Sequence, residues 1–275
     1  MIKLRWVMVV TIVSGMLLTL IGQPESFWSN PTTARWADGQ LVHTTNTPGF
    51  SLLLDHGALA FVAAHLVFLA AVFYAATRLP RLVALAAIFS TLFAYGYDAT
   101  LWLVMCFHVA PGAAIALCGA TLGTLLSFAV LPARQRPREA VNAWRWVMVA
   151  VLFVDFANTL LGQPSSYWQD PSTMLESNSL TRMFLGRGWM YYLLLDIMLA
   201  AGQFALITFL PVPIAFVTVF AFIFGNFVGA SNWFLFEWRW GWVAPIVYGI
   251  ILSTLMVLLA FRDREKTAVS ASTPA

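Results

Sequence analysis

Four ionisable side chains stand inside long apolar stretches of this chain: His65, Asp98, Asp155 and Asp196. Holding such a group near a bilayer centre costs at least about 2.5 kcal/mol on insertion scales, so it is normally turned inward, paired and functional. Carboxylates beside an imidazole are the groups that take up and release protons or hold small cations. Amides and small residues accompany them. Asp155, Asn158, Thr159 and Gly162 recur at i, i+3, i+4 and i+7, which is one stripe of a helix. Tyr95, Asp98 and Trp102 form a comparable stripe, and Gly225, Asn226, Gly229, Ser231, Asn232 and Trp233 make another segment small and polar in its outer half.

Other chemistries fit the residues less well. A zinc hydrolase needs three or four convergent ligands. Of the four histidines, His43 falls in a loop, and His56 and His65 are nine residues apart, on opposite helix faces. A mixed site of His65, Asp98, Asp155 and Asp196 has no recognised metal spacing. HExxH, GxSxG and a glycine-rich phosphate loop are all missing from the sequence. No Lys lies in an apolar run, which excludes a retinal Schiff base, and the buried histidines lack the paired spacing of a haem site. Cys106 and Cys118 suggest neither a disulfide framework nor a cysteine metal site. The residues specify no cofactor and no metal.

The elements that must position these groups are membrane helices. Of the 275 residues, 60% are hydrophobic and 10% charged, against roughly 25% charged in a soluble domain. A mean hydropathy of +0.80 leaves far more apolar surface than water tolerates. A helix needs about 20 residues to cross a bilayer. Apolar runs of that size fall near 5–22, 53–77, 82–105, 110–131, 144–162, 187–210, 212–235 and 243–261, so the expectation is eight spans. Lys3, Arg5, Arg78, Arg81, Arg134, Arg136, Arg138, Arg145, Arg262, Arg264 and Lys266 fall on one side, and Arg35, Arg182, Arg187 and Arg239 on the other. That bias puts both termini in the cytoplasm of a bacterial-type inner membrane. The net charge of +3 then reflects orientation, not nucleic acid. Trp6, Trp144 and Trp146 are expected at the inner face and the other tryptophans toward the outer side.

The chain also repeats itself. "RWVMVV" (5–10) returns as "RWVMVA" (145–150), and "LIGQPESFWSNPTT" (20–33) as "LLGQPSSYWQDPST" (160–173), at an offset of 140. Beyond the first outer loop the offset is 131, pairing Leu54 with Leu185, Gly57 with Gly188, Leu79-Pro80 with Leu210-Pro211, and Trp102 with Trp233. Ala110-Pro111 and Ala244-Pro245 open the last helix of each half. The first span has a twin in mid-chain that cannot be a cleaved signal peptide, so both are read as membrane helices. The expected fold is an all-α integral membrane protein of two tandem, parallel four-helix repeats related by a pseudo-twofold axis along the membrane normal. Repeats 1–131 and 144–261 flank a cytoplasmic linker, 132–143, and a disordered cytoplasmic tail follows at 262–275.

At offset 131, His65 takes the place of Asp196, so the two would meet near the axis, while Asp155 replaces Gly15 and Asp98 aligns with Gly229. Counted from the helix ends, all four ionisable groups lie roughly 8–14 Å below the outer surface. The repeated Gly-Gln-Pro phrase reads as a helix stop carrying either an aromatic anchor or an outer lid. Gly119-x-x-x-Gly123 reads as close helix packing. The function expected is a proton- or cation-coupled transporter or channel for a small solute. Its outward pocket would be bound by His65, Asp98, Asp155, Asn158, Asp196 and Asn232, with Trp28, Trp102, Trp168 and Trp233 at the entrance. A scaffold subunit of a membrane complex and an outer-facing enzyme on a lipid-linked substrate are the alternatives.

Overall fold

A computed structural model describes residues 2–31, 51–131, 137–176, 179–238, 240–241 and 243–261, and every regular element among them is helical. The tail 262–275, residues 132–136 of the linker, and His43, Arg35 and Arg239 lie outside the described residues. Among the described residues seven helices are long and apolar enough to cross a membrane: α1 (Ile2–Ile21), α3 (Ala58–Arg78), α4 (Arg81–Met105), α5 (Pro111–Val130), α6 (Pro137–Leu161), α8 (Trp189–Phe209) and α9 (Val212–Asn232). An eighth, α10 (Val243–Phe261), is apolar over a shorter stretch, Val243–Leu259. Short helices α2 (Glu25–Ser29) and α7 (Ser179–Leu185) lie in the connections.

Local chemistry sets the ends. Leu79 and Leu210 each precede a proline and adopt extended backbone, with ψ of 152° and 145°, as the proline ring requires. The next helix starts at once on the other side of that proline. Gly57 and Gly188 precede α3 and α8 at φ of 95° and 116°, a region where a β-carbon is strained. Three boundaries differ from the expectation. Helix α6 starts at Pro137, so half of the expected linker is helical; a first-position proline with Glu139 in the first turn favours that start. Helix α9 passes into a π-helical turn at Trp233–Glu237. Helix α7 fills part of a connection read as a loop.

The principal seams are α1 with α4, α6 with α9, α4 with α10, and α5 with α9. Phenylalanines fill the centre: Phe93 of α4 packs on Phe220, Phe224 and Phe227 of α9, with ring centroids 5.7, 6.1 and 4.8 Å away. Gly119 and Gly123 admit α9 to close contact, since β-carbons there would stand 3.1 Å from Ala221 Cα and 3.0 Å from the Val217 carbonyl oxygen. Trp144 is a correction. It is fully buried, not interfacial, donating Nε1–H to the Met256 carbonyl at 3.1 Å and lying 4.7 Å from the Phe216 ring. Four helices meet around it, and a large ring fills that junction better than it anchors a headgroup. Trp6 and Trp146 do stay exposed, against Phe73 and Phe204.

Two small apolar clusters lie apart from this centre. One gathers Met16, Leu20, Phe27, Leu54 and Phe61. The other gathers Phe156, Leu160, Tyr167, Leu185 and Tyr192. These five pairs correspond at the sequence offsets of 140 and 131, while the second cluster also holds Leu195, whose counterpart Ala64 is not in the first. At the opposite helix ends, Arg5 donates to the Ala76 carbonyl at 2.9 Å, and Arg138 to the Leu210 and Thr208 carbonyls. Cations at the C-terminal carbonyls of α3 and α8 complement the helix dipole.

Candidate functional site

Helix spacing decides which groups share a seam. On α4, Tyr95, Asp98 and Trp102 lie on one stripe. A β-carbon at Gly15 would stand 2.8 Å from the Tyr95 ring and one at Gly22 2.8 Å from the Trp102 ring, so this stripe faces α1. Asp98 lies between the two rings on that stripe. It is 2% exposed, and its Oδ1 has no hydrogen-bond partner among the described residues.

In the α6–α9 seam the acid comes from α6. Asp155 is on α6 and rests on α9, where a β-carbon at Gly229 would stand 2.7 Å from both its carboxylate oxygens. One heptad further, Gly162 faces the Trp233 ring. Each of these seams thus sets an indole against a glycine, and the α6–α9 seam also sets a carboxylate on one.

The six expected binding residues do not form one cluster. Asp155 and Asp196 stand on helices that pack together, α6 and α8, and the Asp196 charge reaches Asp155. Glu176, in the outer connection, acts on Asp155 as well. Tyr192 of α8 lies against Phe156, the neighbour of Asp155 on α6, with ring centroids 5.0 Å apart. Asn158 lies on the Asp155 stripe with its Nδ2 buried and, among the described residues, unpartnered, as are Asp196 Oδ2 and Tyr248 Oη. Among the described residues no basic side chain acts on either aspartate.

The remaining members stand elsewhere. Asp98 occupies the α1–α4 seam, on the far side of the phenylalanine centre. His65 is buried with Nδ1 2.9 Å from the Phe61 carbonyl and its ring 4.2 Å from Phe61. The expected meeting of His65 with Asp196 near an axis is corrected. Helix α3 packs on α1 and α4, and α8 on α6, α7 and α9, so the two residues occupy separate flanks. Asn232 accepts a hydrogen bond from Tyr97 Oη at 2.6 Å, which ties α9 to α4. Of the entrance residues, Trp28 and Trp168 are 60% and 55% exposed, each edge-on to its neighbour Phe27 or Tyr167. That is the placement of interfacial anchors. Trp102 is buried and Trp233 half-buried on their glycines.

Sequence reasoning missed Glu176, Tyr192, Tyr248 and the task of Gln163. The Gln163 amide donates to the Thr159 and Leu175 carbonyls at 2.8 and 3.0 Å and accepts from Leu175 N–H at 2.8 Å. It therefore fixes the residue next to Glu176. One signal was present: Tyr192 and Tyr248 take positions that Phe61 and Ala114 hold in the other half. Among the described residues no three His, Cys, Asp or Glu side chains converge closely enough to hold a metal ion.

The architecture defines a polytopic, all-helical protein of the membrane type. Searches against family models, curated proteins and solved structures find no match to the chain.

Proposed function

We propose that this chain is an eight-span membrane protein of two tandem four-helix halves, 1–131 and 144–261. We propose further that it binds and moves a proton or small cation through an outward-facing site in the second half. Both termini would be cytoplasmic. The matched satellite clusters, the two glycine–tryptophan contacts and the two positive-φ glycines support the duplicated reading. Asp155 and Asp196 would hold the charge, Asn158, Tyr192 and Tyr248 would line the site, and Glu176 would stand at its mouth.

One observation carries the site. Asp196 is 3% exposed with its Oδ2 unpartnered among the described residues, and its helix α8 packs on α6, which carries Asp155. Like charges in a low-dielectric seam repel strongly. The pair is therefore tenable only with a proton or cation between its members, and an element that must acquire and lose that charge is the core of a coupled carrier. Asp98 and His65 are left with positioning roles in the first half.

Proteoliposome flux tests the reading. Asp155→Asn and Asp196→Asn should each abolish proton or cation flux while folded yield in detergent is kept. A parent protein without flux whose Asp155→Asn variant fails to fold would instead make the pair a structural staple. The staple role, in a scaffold subunit, is the second reading, and the Tyr97–Asn232 bond favours it: that polar pair is satisfied internally and joins two helices.

A further inference from the structure

A groove runs along the flank of the α4–α10 seam, at the end of the bundle where α4 begins. It encloses about 490 Å³ and is lined by residues from Leu82 to Ser90 on α4 and from Ile250 to Leu258 on α10. At 1.5 Å per residue either stretch measures about 12 Å, close to the depth of one leaflet of a hydrocarbon core ~30 Å thick. The rim residues Val83, Ile250 and Leu258 are 50%, 47% and 41% exposed, while Val257 at the floor is 1% exposed. The groove is therefore open sideways, toward lipid.

Its lining is aliphatic apart from Ser90 and Thr254, and Ser90 spends its hydroxyl on the Ala86 carbonyl at 2.8 Å. Such a wall gives dispersion contacts along its whole length, which suits a straight alkyl chain.

The mouth of the groove is basic. Helix α4 opens on Arg81, one residue before the groove, and has no side-chain cap there. The other described arginines at this end are engaged. Arg5 and Arg138 donate to carbonyls, Arg145 donates to Asn142 and Thr208, and the Arg78 guanidinium lies 5.5 Å from the centre of the Tyr74 ring. Arg81 is exposed and has no such partner among the described residues. We propose that the groove holds one acyl chain of an anionic phospholipid, with its phosphate bonded by Arg81 and by the open first-turn amides of α4. Neither Asp155 nor Asp196 takes part.

Native mass spectrometry of the purified full chain tests it. Dioleoyl phosphatidylglycerol, dioleoyl phosphatidylcholine and glycerol phosphate are titrated separately. One phosphatidylglycerol per chain should be retained, about fivefold more tightly than phosphatidylcholine, the gain from one arginine near an anionic headgroup. Glycerol phosphate, which has no chain, should not be retained. Arg81→Gln should erase the preference. Ser90→Leu, which fills the groove, should lower retention of both lipids; if that variant does not fold, Ala86→Leu serves. Equal retention of the two lipids by the parent, or a preference kept by Arg81→Gln, overturns the proposal. So does unchanged retention in the groove-filling variant, or glycerol phosphate binding as tightly as the lipid. A parent dimer that the groove-filling variant dissolves overturns it too, and would assign the groove to a second copy of the chain.

Discussion

The indole of Trp233 occupies the space that a side chain at Gly162 would fill. Trp102 stands in the same relation to Gly22. In both places a helix, α1 or α6, ends beside a glycine because an indole from another helix needs the room, a role added to that of a helix stop. The doubled "GQP" phrase is thus a packing device as well as a punctuation mark.

Gly162→Ala forces the Trp233 ring outward, and overpacking of this kind costs about 1–3 kcal/mol. Its unfolding midpoint in detergent should fall accordingly. Gly202→Ala is the control, because nothing lies within 4 Å of a β-carbon there. Helix propensity alone should then raise stability by up to about 1 kcal/mol. Equal effects at the two sites would show that the ring contact is not what selects glycine.

Gln163→Leu removes both hydrogen bonds to Leu175 while keeping the side chain's bulk. At about 1 kcal/mol per bond, hydrogen exchange at the Leu175 amide should quicken by about tenfold or more. The Gly162 amide, bonded to the Asn158 carbonyl within α6, should keep its rate. Unchanged exchange at Leu175 would remove Gln163 as the holder of Glu176.

The Ser172 hydroxyl and the Ser172 N–H, the latter at 3.0 Å, both donate hydrogen bonds to the Asp170 carboxylate and hold it below the ordinary value of 3.8. A depressed folded value means that the stabilisation is fully present above the unfolded value. It is lost as pH falls through the folded one. Protection of the Ser172 amide should therefore be flat down to about pH 4 and drop below it. In Asp170→Asn that acid-side drop should be absent. A drop centred near neutral pH would assign it to another group.

Much of the fold was legible because membrane helices announce themselves. Twenty apolar residues, a glycine or proline at each end and a repeated phrase were enough to place α1, α3, α4, α5 and α8 closely. Gly119 and Gly123 were read as a close helix contact, and α9 fills it. Trp144 was misread because a tryptophan near a helix end has the same sequence signature whether it faces headgroups or a crowded junction. The start of α6 was missed because charged residues after Pro137 look like loop until the helix is seen to continue through them.

The candidate site was legible only in part. Asp155 and Asp196 stood out as charges in apolar runs, and they stand on two helices that pack together, α6 and α8. His65 and Asp98 stood out equally and belong elsewhere. The sequence by itself determined that the chain makes long apolar helices, where they end, and that it carries one motif twice. Only the tertiary structure decided which face of each helix turns inward. The physical reason lies in the solvent: lipid is as apolar as a protein core, so hydrophobic periodicity cannot mark the buried face. What marks it is steric fit, ring into glycine and carboxylate onto bare backbone, and that information exists only between helices far apart in the chain.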